Sequence, residues 1–206
     1  MSKALLLLWC CYGAVSFARV QAPTCDSIIW SDTRQLTWSD FRALPETTSA
    51  VGALSFISFH YQLVEENDRQ YLTVLNYFEP CKSWYKVYDT SLSLQHEQVH
   101  FNIDEYIRRL FIKEVKELKT VSRFAFPGVR DVYFSAMRYR NFLHRRFDVE
   151  TDYHRNPVKE EHWHLDISTR ISLLEAQKEM RYSLKKPAIA APQRLSTAQR
   201  SNYTVP

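Results

Sequence analysis

A long helical pattern in the middle of the sequence limits the folds open to this chain. Across residues 92–119, apolar side chains recur at steps of three and four positions, which places them on one face of an α-helix. This face consists of Val99, Ile103, Tyr106, Ile107, Leu110 and Leu118. Because a helix has to bury its apolar face, the rest of the chain must supply elements that pack against it.

An alternating pattern before this helix predicts a pair of strands. In residues 53–64, mostly apolar side chains occupy every second position, as in a half-buried strand. Residues 65–70 are polar and indicate a turn, and residues 71–78 are again rich in strand-forming types. We therefore predict a β-hairpin with a loop longer than two residues.

Two further helical patterns follow the long helix. They cover residues 131–146 and 162–181, and a polar loop at residues 147–157 joins them. Together with the hairpin they predict an α+β fold. In this fold a small mixed or antiparallel sheet packs on the long helix, and two more helices complete the domain.

Length and charge bound the organisation of the chain. A total of 206 residues fits one domain, which we place at residues 19–184. Residues 185–206 are rich in Pro, Ala, Ser and Gln, which is typical of a disordered tail. The net charge is only +4, with basic and acidic residues interspersed, so no nucleic-acid partner is expected.

The N-terminus has the pattern of a signal peptide at residues 1–18. Lys3 supplies positive charge, and the apolar run at residues 4–15 is too short to span a bilayer as a helix. Small residues at Ser16 and Ala18 fit a cleavage site after Ala18. We expect an exported protein, periplasmic or secreted, without a membrane span after cleavage; an uncleaved anchor is the alternative.

Cleavage would leave Cys25 and Cys81 as the remaining cysteines. An even number of cysteines in an oxidising compartment predicts a disulfide bond between them. This bond would tie the N-terminal arm to the segment before the long helix. Two free buried thiols are the alternative.

The long helix carries the motif H-E-x-x-H at His96, Glu97 and His100. Residues four apart lie on one helix face, so both imidazoles can reach one metal ion, and neutral imidazole is a good zinc ligand. Glu97 lies beside them and can act as a general base toward a water that the metal activates. The motif predicts a hydrolytic site with one Zn²⁺ per chain; two surface histidines on a charged helix are the alternative.

A catalytic zinc site needs a third protein ligand. Asp104 shares the face of the histidines but lies too far along the helix axis from His96 to bind the same ion. Glu105 points to another side of the helix, where we expect it to support the site from outside the ligand set or to cap a neighbouring element. The remaining candidates lie after the second helix: Asp148, Glu150, His154, and the pair His162 and His164.

Four blocks of the sequence carry a resemblance to a known family. They are LTWSDFRALP (residues 36–45), Ser83 with Trp84, HEQVHFNIDEYIRRL (residues 96–110), and FDVETDYHRN (residues 147–156) with Trp163 after it. In this order and spacing they resemble the bacterial family of predicted secreted zinc-dependent proteases, across about residues 28–171. Asn102 and Phe147 stand where the family usually has Asp and Tyr.

The resemblance implies a zincin-like fold with a zinc ion on His96 and His100 and with Glu97 as the base. It favours Asp148 as the third ligand, with His154 as the alternative. The activity of the family is itself inferred from the H-E-x-x-H motif, so the resemblance supports zinc binding more strongly than it supports proteolysis.

Two further roles follow from the zincin-like expectation. The second strand of the hairpin, residues 71–78, would offer a sheet edge to an extended peptide substrate. Tyr153 would donate a hydrogen bond to the oxyanion that develops in the transition state. An ordinary strand of the sheet and an ordinary loop aromatic are the alternatives.

The sequence thus predicts an exported zinc metallopeptidase that acts on a peptide or protein substrate. One alternative is a zinc-binding envelope protein that binds a peptide or protein partner without cleaving it, and another is a structural domain without metal. The sequence is compatible with a monomer.

Overall fold

The structure, a computed structural model, shows a mixed α+β protein with small antiparallel sheets. The predicted signal peptide (residues 1–18) and the predicted tail (residues 185–206) lie outside the described residues. The described residues are 25–67, 69–86, 91–118 and 128–184. Within this part of the chain, no helix is both long and apolar enough to cross a membrane.

Within the described residues, six strands form the sheets: β1 (Ile28–Ile29), β2 (Ala53–Leu54), β3 (Ile57–Glu66), β4 (Arg69–Phe78), β5 (Trp84–Tyr85) and β6 (Arg181–Leu184). The predicted hairpin is β3 and β4, which pair antiparallel from Ile57 with Phe78 to Glu66 with Arg69. Only two residues separate the strands, so the longer predicted loop is wrong. Asn67 has a φ of 49°, which suits a tight turn and which Asn tolerates.

The strand β4 is internal to the sheet, so the edge predicted at residues 71–78 is wrong. β3 pairs along one side of it, and β6 and β1 pair with its two ends on the other side. Between these ends, Val74 N donates to Met180 O, and Trp30 N donates to Asn76 O. Both sides of β4 are therefore hydrogen-bonded and leave no edge for a peptide.

The single strand predicted at residues 53–64 is divided between two sheets. β2 pairs with β5, and β3 pairs with β4. A buried hydroxyl group lies at the break between β2 and β3. Phe56 N donates to Ser83 Oγ, which in turn donates to Glu79 O. The Ser83 hydroxyl thus stands between Phe56 N and Glu79 O, while Glu79 N still donates to Phe56 O, so one of the two ladder bonds at this pair is interrupted.

The described part of the chain contains three α-helices: α1 (Ser91–Glu117), α2 (Val129–Glu150) and α3 (Pro157–Leu173). α1 and α2 confirm the predicted helices, but α2 continues past residue 146 to Glu150, so Asp148 lies on a helix and not in a loop. α3 begins at Pro157 and ends at Leu173, earlier than predicted at both ends. Asn156 caps it by accepting a hydrogen bond from Lys159 N, and proline suits a first helical position.

The helix α1 lies at the centre of the fold. Its apolar face is buried against the hairpin, α2 and α3, with Val99, Ile103, Ile107 and Phe111 fully inaccessible. Gln98 and Asn102, from the H-E-x-x-H region, bind the N-terminal segment by accepting hydrogen bonds from Leu36 N and Trp30 Nε1. These contacts fix the position of α1 and hence of its two histidines.

Cys25 and Cys81 form a disulfide bond, with their Cα atoms 6.0 Å apart. The bond connects the segment before β1 with the turn after β4. Because β1 also pairs with the end of β4, the N-terminal arm is held both covalently and through the sheet.

Candidate metal centre

Two antiparallel helices bring three of the predicted ligands together. His96 and His100 lie one turn apart on α1, and Asp148 lies near the end of α2, which packs against α1. The Nε2 atoms of His96 and His100 are 3.1 Å apart. Asp148 Oδ1 lies 3.2 Å from the first nitrogen and 3.0 Å from the second. The three donor atoms form a nearly equilateral triangle, which we call the donor triangle.

The donor triangle fits a divalent metal ion. Ligand atoms that lie about 2.0–2.1 Å from a tetrahedral ion are about 3.3 Å from one another, close to the separations found here. Two imidazole nitrogens and one carboxylate oxygen also suit first-row divalent ions. Within the part of the chain that the structure describes, His96, His100 and Asp148 are the group whose side chains are close enough to hold one ion.

Each histidine of the donor triangle has a partner for its second ring nitrogen. His96 Nδ1 lies 2.7 Å from Glu160 Oε1, and His100 Nδ1 lies 2.7 Å from His144 Nδ1. A carboxylate only accepts hydrogen bonds, so a neutral His96 carries its hydrogen on Nδ1 and has a lone pair on Nε2. Glu160 is 1% exposed and belongs to α3, so all three helices contribute to the site.

Phe147 fixes the orientation of both histidine rings by packing. Its fully buried ring is stacked on the imidazole of His96, with ring centres 4.3 Å apart, and meets His100 edge-on at 5.0 Å. Side chains locked by such contacts lose little further freedom when they bind a ligand. The phenylalanine thus serves the site although it carries no polar group.

Negative charge surrounds the donor triangle. Burial disfavours a charged ring, yet hydrogen bonds to Asp148 and Glu160 raise the pKa of His96 to about 9. Burial lowers the pKa of His100. Burial also opposes ionisation of Asp148, but hydrogen bonds with His100 and His96 hold the pKa of its carboxyl far below the usual range. The site therefore favours one added positive charge, which either a proton or a metal ion can supply.

Glu97 lines a cleft of about 670 Å³ beside the donor triangle. Its side chain is 7% exposed, and among the described residues its carboxylate has no hydrogen-bond partner. The cleft is also lined by residues 50–55, by α2 and by the turn after α2. A buried carboxylate that lies next to the donor triangle and faces a cleft can accept a proton from a water bound there.

A left-handed turn after α2 forms one wall of this cleft. Asp152, Tyr153 and His154 have φ values of 50°, 51° and 66°, a conformation that is uncommon outside glycine. Tyr153 N donates to Asp148 O, so this turn is anchored to the residue that supplies the third donor. Tyr153 lines the cleft and is about half exposed, while its role toward an oxyanion stays a prediction.

Several other predicted candidates lie outside the donor triangle. His154 lines the cleft, with its ring centre 6.0 Å from that of His96, and Asp148 stands in the third position instead. Glu150 accepts a hydrogen bond from Trp163 Nε1. The pair His162 and His164 lies on α3 and does not belong to the group.

The predicted supporting role of Glu105 at the metal site is wrong. This buried carboxylate accepts hydrogen bonds from Arg108 and Arg109, and the partners of the ligand histidines are other residues. The two arginines donate to backbone carbonyls at the end of α3 and in the segment after it. Glu105 instead fits the second role that we predicted, which was to cap a neighbouring element. It lies on a different side of α1 from His100, and its two arginine partners hold the end of α3.

Glu160 and His144 are functional candidates that the sequence analysis missed. Glu160 lies at the start of a buried stripe on α3 that continues with Trp163, Ile167 and Ile171. A carboxylate in an otherwise apolar stripe was the signal that could have identified it. His144 lies four residues before Asp148, so a search for polar residues one turn from Asp148 would have found it.

Comparison of the chain with models of protein families, with curated proteins and with solved structures found no match. The resemblance to secreted zinc-dependent proteases therefore rests on the four sequence blocks alone. Function has to be argued from the geometry of the site.

Proposed function

We propose that this chain is an exported zinc metallopeptidase with a zincin-like arrangement of sheet and active-site helix. The observation that carries this proposal is the donor triangle with Glu97 next to it at the cleft. Two histidines and one carboxylate are a ligand set typical of catalytic zinc, which keeps one position open. Each of the two histidines has a partner at its second ring nitrogen, which supports a metal site over two surface histidines on a charged helix.

A Zn²⁺ ion held by His96, His100 and Asp148 would act as a Lewis acid and lower the pKa of water in the site to about 7. Glu97 is the base: its carboxylate accepts a proton from the attacking water and passes it to the nitrogen of the departing amine. The water oxygen forms a bond to the peptide carbonyl carbon, and the C–N bond breaks. The products are a carboxylic acid and an amine.

The cleft supports a peptide as the substrate. Among the described residues, β2 pairs only with β5. Residues 50–55, which include β2, line the cleft. β2 can therefore present backbone groups to an extended peptide, which is the role that the sequence analysis gave to residues 71–78. Val51, Leu54 and Ile57 add apolar surface for the side chains of such a peptide.

The disulfide between Cys25 and Cys81 supports export, because such bonds persist in oxidising compartments. The signal-peptide pattern at residues 1–18 points the same way.

A zinc-binding protein that holds a peptide partner without cleaving it is the alternative function. It would use the same donor triangle and the same cleft. The two functions differ in the need for Glu97, since only hydrolysis requires a base.

Glu97→Gln separates the two functions. We expect wild type to hydrolyse a mixture of quenched fluorescent peptides, and Glu97→Gln to lose about 10²–10⁴-fold in rate with its zinc content unchanged. Glu114→Gln, an exposed position on the same helix, is the matched control and should keep full activity. Equal rates in wild type and Glu97→Gln would contradict the peptidase, and zinc binding without hydrolysis in wild type would favour the alternative.

A further inference from the structure

The facing sides of α1 and α2 form a ladder of three polar contacts. α1 contributes His96, His100 and Asp104 at four-residue spacing, and α2 contributes Arg140, His144 and Asp148 at the same spacing. Because the helices are antiparallel, the contacts are His96 with Asp148, His100 with His144, and Asp104 with Arg140. The donor triangle lies at one end of this ladder, and an ion pair lies at the other.

The ion pair sets the direction of the hydrogen bonds. Asp104 is fully buried, and Arg140 Nε donates to both of its carboxylate oxygens at 2.8 and 2.9 Å. Asp104 Oδ1 also lies 2.5 Å from His144 Nε2. Although burial opposes ionisation, His144 and Arg140 lower the pKa of the Asp104 carboxyl. An ionised carboxylate only accepts, so His144 Nε2 must be the donor.

The middle contact then has one arrangement that is compatible with a metal ion. The Nδ1 atoms of His100 and His144 lie 2.7 Å apart, and their rings are stacked nearly parallel with centres 4.8 Å apart. Two facing nitrogens share a single hydrogen. A neutral His144 with its hydrogen on Nε2 has a lone pair on Nδ1, which accepts the Nδ1 hydrogen of His100. Nε2 of His100 then has its lone pair in the donor triangle.

We propose that His144 is a positioning residue for the metal site. It selects the tautomer of His100 whose Nε2 can bind the ion, and Asp104 with Arg140 selects the tautomer of His144. This inference rests on the proposed zinc site but not on peptide hydrolysis. His100 thereby differs from His96, whose partner is the carboxylate of Glu160.

Zinc affinity of three variants tests the proposal. In His144→Leu, a chelator competition should give a dissociation constant about 10–100-fold weaker than in wild type, as for other lost partners of metal ligands. His144→Asn places a side-chain oxygen near the former Nδ1 and should recover most of the affinity. His60→Leu removes an exposed histidine on β3, away from the cleft, and should bind zinc like wild type.

A nitrogen-15 NMR spectrum of the histidines in zinc-loaded wild type tests the same assignment without any variant. The expected spectrum has His144 protonated at Nε2 only and His100 protonated at Nδ1. Protonation of both ring nitrogens of His144 would overturn the proposal, even if His144→Leu did not fold.

The outcomes separate this inference from the proposed function. Zinc binding that depends on His144, without any peptide hydrolysis, would support the inference and contradict the peptidase. Peptide hydrolysis by wild type with unchanged zinc affinity in His144→Leu would overturn the inference alone. A wild type that binds no zinc would overturn both.

Discussion

At the scale of single residues, the site depends on how each imidazole uses its two nitrogens. One nitrogen of His96 and one of His100 lie in the donor triangle, and the other is held by Glu160 or His144. Phe147 restricts the orientation of both rings. Such double constraint preorganises ligands, so that binding an ion costs little conformational entropy.

The third donor gives a prediction at this scale. Asp148→Ala should weaken zinc binding by more than the roughly 10–100-fold expected for a lost partner of a ligand, because it removes a ligand atom itself. His154→Ala should leave the affinity close to that of wild type. The measurement is a chelator competition on folded protein.

Asp152→Asn is the matched control for this prediction, because Asn removes the charge and tolerates the left-handed backbone of this position. Asp152 lies one turn beyond Asp148 and forms an exposed ion pair with Arg155. Loss of the Asp152 carboxylate should not change zinc affinity. A strong loss of affinity in His154→Ala, with little loss in Asp148→Ala, would show that the third ligand has been assigned to the wrong residue.

At the scale of elements, α1 serves two sides of the molecule. One side carries the histidines, and another carries Glu105 with Arg108 and Arg109, whose side chains are almost entirely buried. Arg108 and Arg109 donate to carbonyl oxygens from Ile171 to Glu179, which ties the end of α3 and the segment before β6 to α1. The helix that positions His96 and His100 thus also fixes α3, which supplies Glu160.

The charge cluster around Glu105 gives a prediction of stability. Glu105→Gln removes the buried carboxylate that Arg108 and Arg109 share, which leaves Arg109 only the exposed Glu175, and losing one partner of a buried ion pair costs about 3–5 kcal/mol of unfolding free energy. Urea denaturation should show this loss, and Glu117→Gln, an exposed change on the same helix, should show almost none. A loss of zinc affinity in folded Glu105→Gln without a loss of stability would contradict this role.

Elements and site differ in how far the sequence predicts them. The hairpin, α1 and α2 follow from local periodicity, which a single sequence contains. The last turn of α2 leads directly into the polar segment at residues 151–156, so the predicted helix ends short of Asp148, and the early start of α3 depends on Asn156 as a cap. The contacts of His144 and Glu160 depend on how helices pack against one another, which local patterns do not encode.

At the scale of the whole molecule, the cleft forms where two units meet. The α1–α2 pair supplies the donor triangle and Glu97, and the small β2–β5 sheet supplies the opposite wall. The disulfide and the bonds of Ser83 hold that sheet and the N-terminal arm in place. The H-E-x-x-H motif alone predicts a zinc site. The cleft wall formed by β2 follows only from the tertiary structure.

Metal content tests the central claim most directly. We expect the purified protein, after loading with Zn²⁺ and removal of excess, to contain about one zinc ion per chain by elemental analysis. His96→Ala should contain almost none, while His162→Ala, an exposed change on α3, should match wild type. Circular dichroism of each variant controls for folding. A wild type without zinc, or a folded His96→Ala with the zinc content of wild type, would contradict the assignment of the metal site.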